Sequence, residues 1–450
     1  MNYLFLLKLC IILVSTKTLS LLTGKFQMPQ VVGALLAGLL LGPAVLGNIT
    51  QALFGSQLCL QSSDFLNQLA ELGVIVIMFS AGMGTSIADL KSSGKSGFLV
   101  ALIGVLVPLA MGTLLMWIFE PSASIMHDVF IGTVLTATSV SITVETLKEL
   151  GKLNTKVGNT ILAAALIDDV LGLICLTVVS SLAGANINIL LVLLKIVLFF
   201  AFAGIIGLLF YKFMIRYDKR VHDRNLHRFP IAGFALCLLM SWVAEAIFGV
   251  ADIIGAFSAG MIVAMTPKGQ YISSKFAPLS YLLLTPVFFA NIGLKVSLPR
   301  MSGRYVLFTV CLVTVGILSK LIGCGLGARI CGFTKKESLQ TGFGMACRGE
   351  VALIVANKGM SMNMIDSNYF GPVIILVVCC AVLTPVMLKF AFHGETRYAG
   401  LQSSQLVDNY ELSGQMDIVT HDLLRNSHNN QQKVGKKSES LESKVDHPTE

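Results

Sequence analysis

Charged residues are scarce in this chain: Asp, Glu, Lys and Arg make up 13% of its 450 residues, about half the share of an ordinary soluble domain. Hydrophobic residues make up 54%, and apolar runs of about 18 or more residues recur along the first 394 positions. Because only lipid suits that much apolar surface, the composition excludes a soluble fold. It predicts a protein that crosses the membrane many times.

Tryptophan and regularly spaced cysteine are also lacking. Two tryptophans cannot build the aromatic girdles of an outer-membrane barrel, whereas 41 glycines fit helices that pack closely through small residues. The sequence therefore predicts an all-α polytopic membrane protein. The ten cysteines lack the spacing of a zinc site or a disulfide framework, so we interpret most of them as small hydrophobic residues. No cofactor is expected.

Thirteen apolar segments, separated by glycine, proline or clusters of charge, are long enough to cross a bilayer. They cover approximately residues 3–22, 29–47, 64–83, 97–119, 127–150, 157–184, 187–213, 228–248, 249–267, 277–294, 304–332, 337–360 and 368–393. The first segment contains Lys8 and Lys17 and has no clear small-residue cleavage site. This favours a retained span over a cleaved signal peptide.

The loops between these segments differ in charge from one side to the other. When loops are assigned alternately, seventeen Lys and Arg residues fall on one side and four on the other. Because basic loops stay in the cytoplasm, this bias predicts an external N-terminus and a cytoplasmic C-terminus in the cell (inner) membrane, and no binding of nucleic acid. Residues 395–450 are polar, without a glycine-rich nucleotide fingerprint, and are expected to be a disordered cytoplasmic tail.

The chain also contains an internal repeat. Val32–Gly38 (VGALLAG) in the second span matches Ile254–Gly260 (IGAFSAG) in the ninth at four of seven positions, and a weaker echo links the third and tenth spans. An odd separation of seven spans reverses the direction of crossing, so the two copies are predicted to form an inverted repeat. The alternative is that small-residue packing motifs converge on similar strings.

Two spans in corresponding positions of the repeat carry residues that disfavour a continuous helix. Thr136–Ser141 places four hydroxyls in the middle of the fifth span, and Gly342–Glu350 places three glycines in the twelfth. Interrupted backbone at membrane depth is tolerated only where it is buried or lines a cavity, so both breaks are predicted to face a central site. For the fifth span, hydroxyls bonded within an intact helix are the alternative.

Two adjacent acids, Asp168 and Asp169, lie near the middle of the sixth span. Each costs about 2.5–3.5 kcal/mol at such a depth, which points to a function. Neighbouring helix residues project about 100° apart, so one acid can face a partner and the other the solute path. Burial and repulsion favour protonation, so the pair can exchange protons for cations. A purely structural charge pair is the alternative.

Lys320 supplies a counter-charge inside the eleventh span, surrounded by apolar residues on both sides. Because a buried lysine and a buried acid each lose their charge without a partner, pairing between Lys320 and the aspartates is predicted. The alternative is that the long lysine side chain reaches the cytoplasmic rim.

Arg348 and Glu350 add two charges to the glycine-rich part of the twelfth span. They are predicted to satisfy backbone carbonyls where the helix unwinds, or to pair with Glu145 or Glu71 from other spans. We expect these supporting charges to be architectural, because arginine offers only donors and cannot ligate a cation.

The segment Thr138–Leu153 (TSVSITVETLKELGKL), followed by the two aspartates, resembles the monovalent cation:proton antiporter-2 family, in particular its NapA-like and GerN-like sodium/proton antiporters. The resemblance covers about residues 3–393 and includes, in order, the two-carboxylate helix, the lysine of the eleventh span and the segment Arg348–Leu353 (RGEVAL). It implies the NhaA/NapA-like antiporter fold. One crossing helix would break around Thr138 and Ser139, the other around Gly344 to Gly349.

The resemblance further implies ion binding at Asp169, together with the neighbouring Asp168, and an ion pair between Asp168 and Lys320. It implies a homodimer in which residues 1–394 form the antiporter domain. The panel would contain about residues 3–83 and 228–294, the core about 97–184 and 304–393, and a linking helix about 187–213. Glu145 stands where glutamine is expected in many relatives, which leaves the preferred ion open.

Exchange of cytoplasmic Na⁺ or Li⁺ for external H⁺ is therefore the leading hypothesis, and K⁺/H⁺ exchange is the alternative because the ligand types suit either cation. An intramembrane aspartyl protease is disfavoured, because it needs two carboxylates that converge from different helices. A cation channel would need neither two matched breaks nor a buried lysine. No enzymatic activity is expected.

Overall fold

The computed structural model describes residues 4–393, apart from 26–27, 50–59, 61, 86, 122–123, 183–187, 221–227, 297–301 and 363. The expected tail at 395–450 lies outside the described residues. Within the described ranges the chain forms sixteen α-helices. They are α1 (Leu4–Lys25), α2 (Gln30–Leu41), α3 (Asp64–Met83), α4 (Ile87–Phe119), α5 (Ile125–Thr136), α6 (Val140–Glu149), α7 (Lys156–Leu182), α8 (Ile189–Arg220), α9 (Arg228–Val243), α10 (Asp252–Ala264), α11 (Gly269–Leu279), α12 (Thr285–Leu294), α13 (Gly303–Ile330), α14 (Lys335–Gly344), α15 (Glu350–Ser361) and α16 (Phe370–Ala391).

All thirteen predicted spans coincide with helix. Among the described residues, eleven helical segments are long and apolar enough to cross a membrane. The other two predicted spans are the ninth, where α10 has 13 residues, and the twelfth, which is divided into α14 and α15. The main difference from the predicted spans is at the start of the fourth, where α4 begins at Ile87, ten residues before the apolar run. The helix continues into polar sequence there, which hydropathy does not detect.

Several helix starts follow directly from local sequence. Ser63 accepts a hydrogen bond from the Leu66 N–H at the start of α3, as expected for an N-cap serine. At α14, Thr334 and Glu337 form a capping box, in which each side chain binds the other residue's backbone N–H. These caps fix where α3 and α14 begin.

The helix packing has the symmetry that the inverted repeat predicts. Spans two and three correspond to spans nine and ten, so a contact of span two with span ten should be matched by one of span three with span nine. Both contacts occur, between α2 and α12 and between α3 and α10. Both use glycine at the closest approach: a Cβ on Gly38 would overlap the Ala290 carbonyl, and a Cβ on Gly260 would overlap the Phe79 carbonyl.

The second group of helices shows the same correspondence. α4 packs against α5, α7 and α13, and α13, its counterpart in the repeat, packs against α14 and α16. Between the two groups runs α8, whose side chains include many exposed large hydrophobic residues, as expected of a helix that faces lipid. The broken helices α5–α6 and α14–α15 therefore lie within the α4–α13 group.

Candidate ion-binding site

The fifth span is interrupted in the middle. α5 ends at Thr136 and α6 begins at Val140, so Ala137, Thr138 and Ser139 are not helical. The Thr138 and Ser139 side chains are buried. The Thr138 hydroxyl has no hydrogen-bond partner among the described residues, which leaves an oxygen available to a ligand at the break.

The twelfth span is interrupted at the corresponding place. α14 ends at Gly344 and α15 begins at Glu350, and Met345–Gly349 between them is not helical. Each broken span thus directs one helix N-terminus and one helix C-terminus into the protein interior. Helix ends carry partial charges, positive at the N-terminus and negative at the C-terminus. Such helix ends can bind an ion through their partial charges, without a fully charged side chain.

The two breaks contact each other directly. The Ser139 N–H donates to the Cys347 carbonyl at 3.0 Å, and the Thr143 hydroxyl donates to the Gly344 carbonyl at 2.8 Å. Gly349 is required by this proximity, because a Cβ at that position would lie 2.7 Å from the Ser139 Oγ. These contacts use backbone groups that unwinding has released from their helices.

Asp168 and Lys320 form an ion pair between α7 and α13. The Lys320 Nζ lies 2.7 Å from the Asp168 Oδ1, and the two side chains are 0% and 1% exposed. Lys320 therefore does not reach the membrane rim. A pair in this environment is stable only as a unit, because removal of either partner leaves an uncompensated buried charge.

Asp169 differs from Asp168 in its environment. Asp168 is buried, whereas Asp169 is only partly buried, as expected for neighbours that project about 100° apart on a helix. The helix that carries them, α7, packs against α5, α6 and α14. Its Ile161 side chain fills the space beside Gly344 at the second break. One aspartate is thus committed to the lysine, and the other is more accessible.

Arg348 is fully buried inside the second break. Its guanidinium donates to the Gly316 carbonyl at 2.9 Å and to the Ala346 carbonyl at 3.4 Å. Gly316 lies one helical turn before Lys320 on α13, so Arg348 ties the unwound segment to the turn that carries the lysine. Of the two predicted arrangements, the structure has the one in which Arg348 binds backbone carbonyls.

The other supporting charges lie further along the broken helices. Glu145 is on α6, 3.6 Å from the Lys148 Nζ, and not in an ion pair with Arg348 within the described residues. The backbone of Glu350 begins α15, and its side chain lies outside what the structure describes. The roles assigned to Glu145 and Glu350 therefore stay predictions.

Two groups that hold helices together in the structure were not identified from the sequence. The Gly316 carbonyl accepts from Arg348, but a backbone acceptor has no signature in the side-chain pattern. Glu149, at the end of α6, accepts a hydrogen bond from the Gln30 N–H of α2 at 2.6 Å. The sequence gives one indication of its role: Glu149 is an acid at the C-terminal end of a helix, where the helix dipole disfavours negative charge.

Comparisons with known proteins identify the relatives of this chain. Residues 10–393 match the family model described as sodium/hydrogen exchanger, transmembrane. The Na(+)/H(+)-K(+) antiporter GerN of Bacillus cereus is 37% identical over 396 residues, which cover 87% of this chain and 97% of that protein. The Na(+)/H(+) antiporter of Enterococcus hirae is 36% identical over 386 residues, 85% of this chain and 96% of that one.

A solved structure shares the fold. The sodium proton antiporter MjNhaP1 from Methanocaldococcus jannaschii superposes with a TM-score of 0.60 at 21% identity, and the match covers 86% of this chain and 96% of that one. The predicted antiporter fold and the resemblance to sodium/proton antiporters are thereby confirmed. The family model spans most of the chain, and the chain therefore belongs to the sodium/hydrogen exchanger family.

Proposed function

We propose that this protein is a monovalent cation/proton antiporter, which exchanges cytoplasmic Na⁺ or Li⁺ for external H⁺ by alternating access to one site. The observation that carries the proposal is the contrast between the adjacent aspartates. Asp168 is buried against Lys320, and Asp169 is partly accessible on a helix that packs against both broken helices. A carboxylate of this kind can hold either a proton or a cation.

Transport follows from competition at that carboxylate. Deprotonated Asp169 replaces part of the hydration shell of Na⁺, helped by oxygens such as the Thr138 hydroxyl and by carbonyls at the breaks. Protonation removes the negative charge and releases the ion. Hard monovalent cations are bound by oxygen ligands, which this set supplies. Because proton and ion exclude one another, the movement of each drives the other.

Asp168 and Lys320 have a supporting role in this scheme. Either the pair holds α7 against α13 throughout the cycle, or it opens and contributes a second titratable step. In the second case Asp168 joins Asp169 in binding the transported Na⁺. Arg348 keeps the second break in register with the Lys320 turn in both cases.

Alternating access requires two bodies that move relative to each other. We assign spans 1–3 and 8–10 to a panel and spans 4–6 and 11–13 to a moving core, joined by α8. The packing of α2 on α12 and of α3 on α10 in one group, and of α4 on α5, α7 and α13 in the other, supports this division. The scheme places the N-terminus outside and the C-terminus in the cytoplasm, and it includes a homodimer.

Exchange of K⁺ for H⁺ is the second candidate, because one relative is named for K⁺ as well as for Na⁺. The GerN protein is named for both Na⁺ and K⁺, whereas the Enterococcus hirae protein is named for Na⁺ alone. The side chains at the site suit either cation. Selection between them depends on the size of the coordination shell.

Proton flux in reconstituted vesicles tests the function. Sodium, lithium and potassium salts are added in turn to vesicles that contain a pH-sensitive dye, with wild-type protein and with Asp169→Asn. Cation-evoked proton movement is expected for the wild type and is expected to be lost in Asp169→Asn, because the amide cannot titrate. Coupled flux with none of the three cations, or a fully active Asp169→Asn, would refute the mechanism.

A further inference from the structure

The first turn of α2 is capped by a side chain from another helix. Its N-cap residue, Pro29, provides no side-chain cap. The Gln30 N–H instead donates to the Glu149 Oε2 of α6 at 2.6 Å. The free N–H groups of a helix N-terminus need partners, and a carboxylate there is also favoured by the helix dipole. Glu149 satisfies both requirements for α2.

Within its own helix, Glu149 is unfavourably placed. It is the last residue of α6, where the negative end of the helix dipole repels a carboxylate. The neighbouring Lys148 lies 3.6 Å from Glu145 and forms its ion pair with that residue. The contact with α2 is therefore the interaction that makes this position favourable for an acid.

The inverted repeat provides an internal comparison. In the alignment of the two copies, Gln30 of α2 corresponds to Asp252 of α10. At α10 the first residue supplies its own acid, since the Asp252 Oδ1 accepts from the Ile253 N–H at 2.8 Å. The α2 start has no such local acid and uses one from a broken helix. The two copies thus differ in the source of the acid that caps the helix N-terminus.

The opposite end of α2 meets the core in another way. There Ala44, which follows α2, clusters with Val296 and with Ile374 of α16, and all three side chains are apolar and buried. The end assigned to the cytoplasm is thus joined by a hydrogen bond to a carboxyl group, and the external end by an apolar contact.

We propose that Glu149 is a positioning residue that ties the core to the panel at the cytoplasmic end and favours the conformation closed on that side. The inference rests on the proposed function, in which these two bodies move apart during transport. When the cytoplasmic ends separate, the Glu149 carboxylate must leave the α2 N-terminus. Loss of this contact shifts the population toward conformations that open to the cytoplasm.

The distance between the two bodies tests the proposal without relying on transport. Spin labels are placed at Lys25, the last residue of α1, and at Asn154, between α6 and α7, both exposed, with the native cysteines replaced. We expect Glu149→Ala to add a population at longer distance and Glu149→Gln, which keeps an acceptor oxygen, to restore part of the wild-type distribution. Asp252→Ala is the matched control, expected to leave the distribution unchanged.

Sided transport provides the second measurement. In vesicles of uniform orientation, Glu149→Ala is expected to raise the apparent affinity for cytoplasmic Na⁺ by about threefold to tenfold, because the competent state is more populated. Coincident distance distributions for wild type and Glu149→Ala, or an equal shift in Asp252→Ala, would overturn the proposal. Absence of coupled flux in the wild type would refute the antiport function, and the distance measurement would still decide the role of Glu149.

Discussion

At the scale of single residues, the core is organised around charges that cannot exist alone. Lys320 and Asp168 are both removed from solvent and 2.7 Å apart, and Arg348 is held by carbonyl oxygens instead of a carboxylate. A buried charge is stabilised either by an opposite charge or by several hydrogen bonds. Lys320 is stabilised by the opposite charge of Asp168, and Arg348 by hydrogen bonds. Of the two adjacent aspartates, Asp169 is the more accessible.

Removal of one partner from the buried pair should be far more damaging than removal of both. Lys320→Met is expected to lower the free energy of unfolding by about 3–5 kcal/mol, because Asp168 is left buried without its partner. Lys320→Met combined with Asp168→Leu should recover most of that loss. Thermal unfolding in detergent compares the two single variants, Lys320→Met and Asp168→Leu, with the double variant. Losses that simply add in the double variant would show that the two charges act independently.

At the scale of helices, glycines determine how closely the elements approach. α2 and α12 meet where a Cβ on Gly38 would overlap the Ala290 backbone, whereas Gly204 in α8 has nothing within 4 Å of an added Cβ. Small residues at the closest approach let backbones pack without voids, and this packing is the main attraction between helices in lipid. Glycine is therefore needed for close packing at Gly38 of α2 but not at Gly204 of α8.

This difference predicts opposite effects of one substitution. Gly38→Ala is expected to lower the apparent melting temperature, because either α2 or α12 must shift to accommodate the methyl group. Gly204→Ala is expected to be neutral or stabilising by up to about 1 kcal/mol, since alanine is the better helix former. Melting curves of the two purified variants in the same detergent provide the comparison. Equal destabilisation would mean that close packing at Gly38 is not the cause.

At the scale of the whole molecule, the proposed cycle requires the core to move past the panel. The apolar cluster of Ala44, Val296 and Ile374 joins the segment that follows α2 to α16 across the proposed boundary. Asn67 and Asn291, in contrast, join α3 to α12 inside the panel through a hydrogen bond of 3.0 Å. Ala44 and Ile374 should separate during transport, whereas Asn67 and Asn291 should stay in contact.

Cross-linking distinguishes these two pairs. On a background without native cysteines, an Ala44→Cys, Ile374→Cys variant is expected to lose exchange on oxidation and to regain it on reduction. An Asn67→Cys, Asn291→Cys variant should remain active in both states. Ion-driven proton flux before and after oxidation is the measurement. Full activity of the oxidised Ala44–Ile374 pair would exclude relative movement at this contact.

The spans, the repeat and the unusual residues were all predictable from the sequence. Hydropathy predicted the helices because lipid requires long apolar segments, and glycines and hydroxyls indicated the two broken spans. Lys320 could be matched to the aspartates because an isolated buried charge is too costly. Each of these predictions rests on a local rule that applies to any chain in a membrane.

Tertiary structure alone decided the partners of several groups. The bond from Arg348 to the Gly316 carbonyl and the bond from Glu149 to the start of α2 both join residues distant in sequence to backbone atoms. Backbone groups are the same at every position, so no sequence pattern reveals which of them will be free and nearby. The sequence by itself determined which residues carry charge into the membrane, and the packing of the helices decided what each charge contacts.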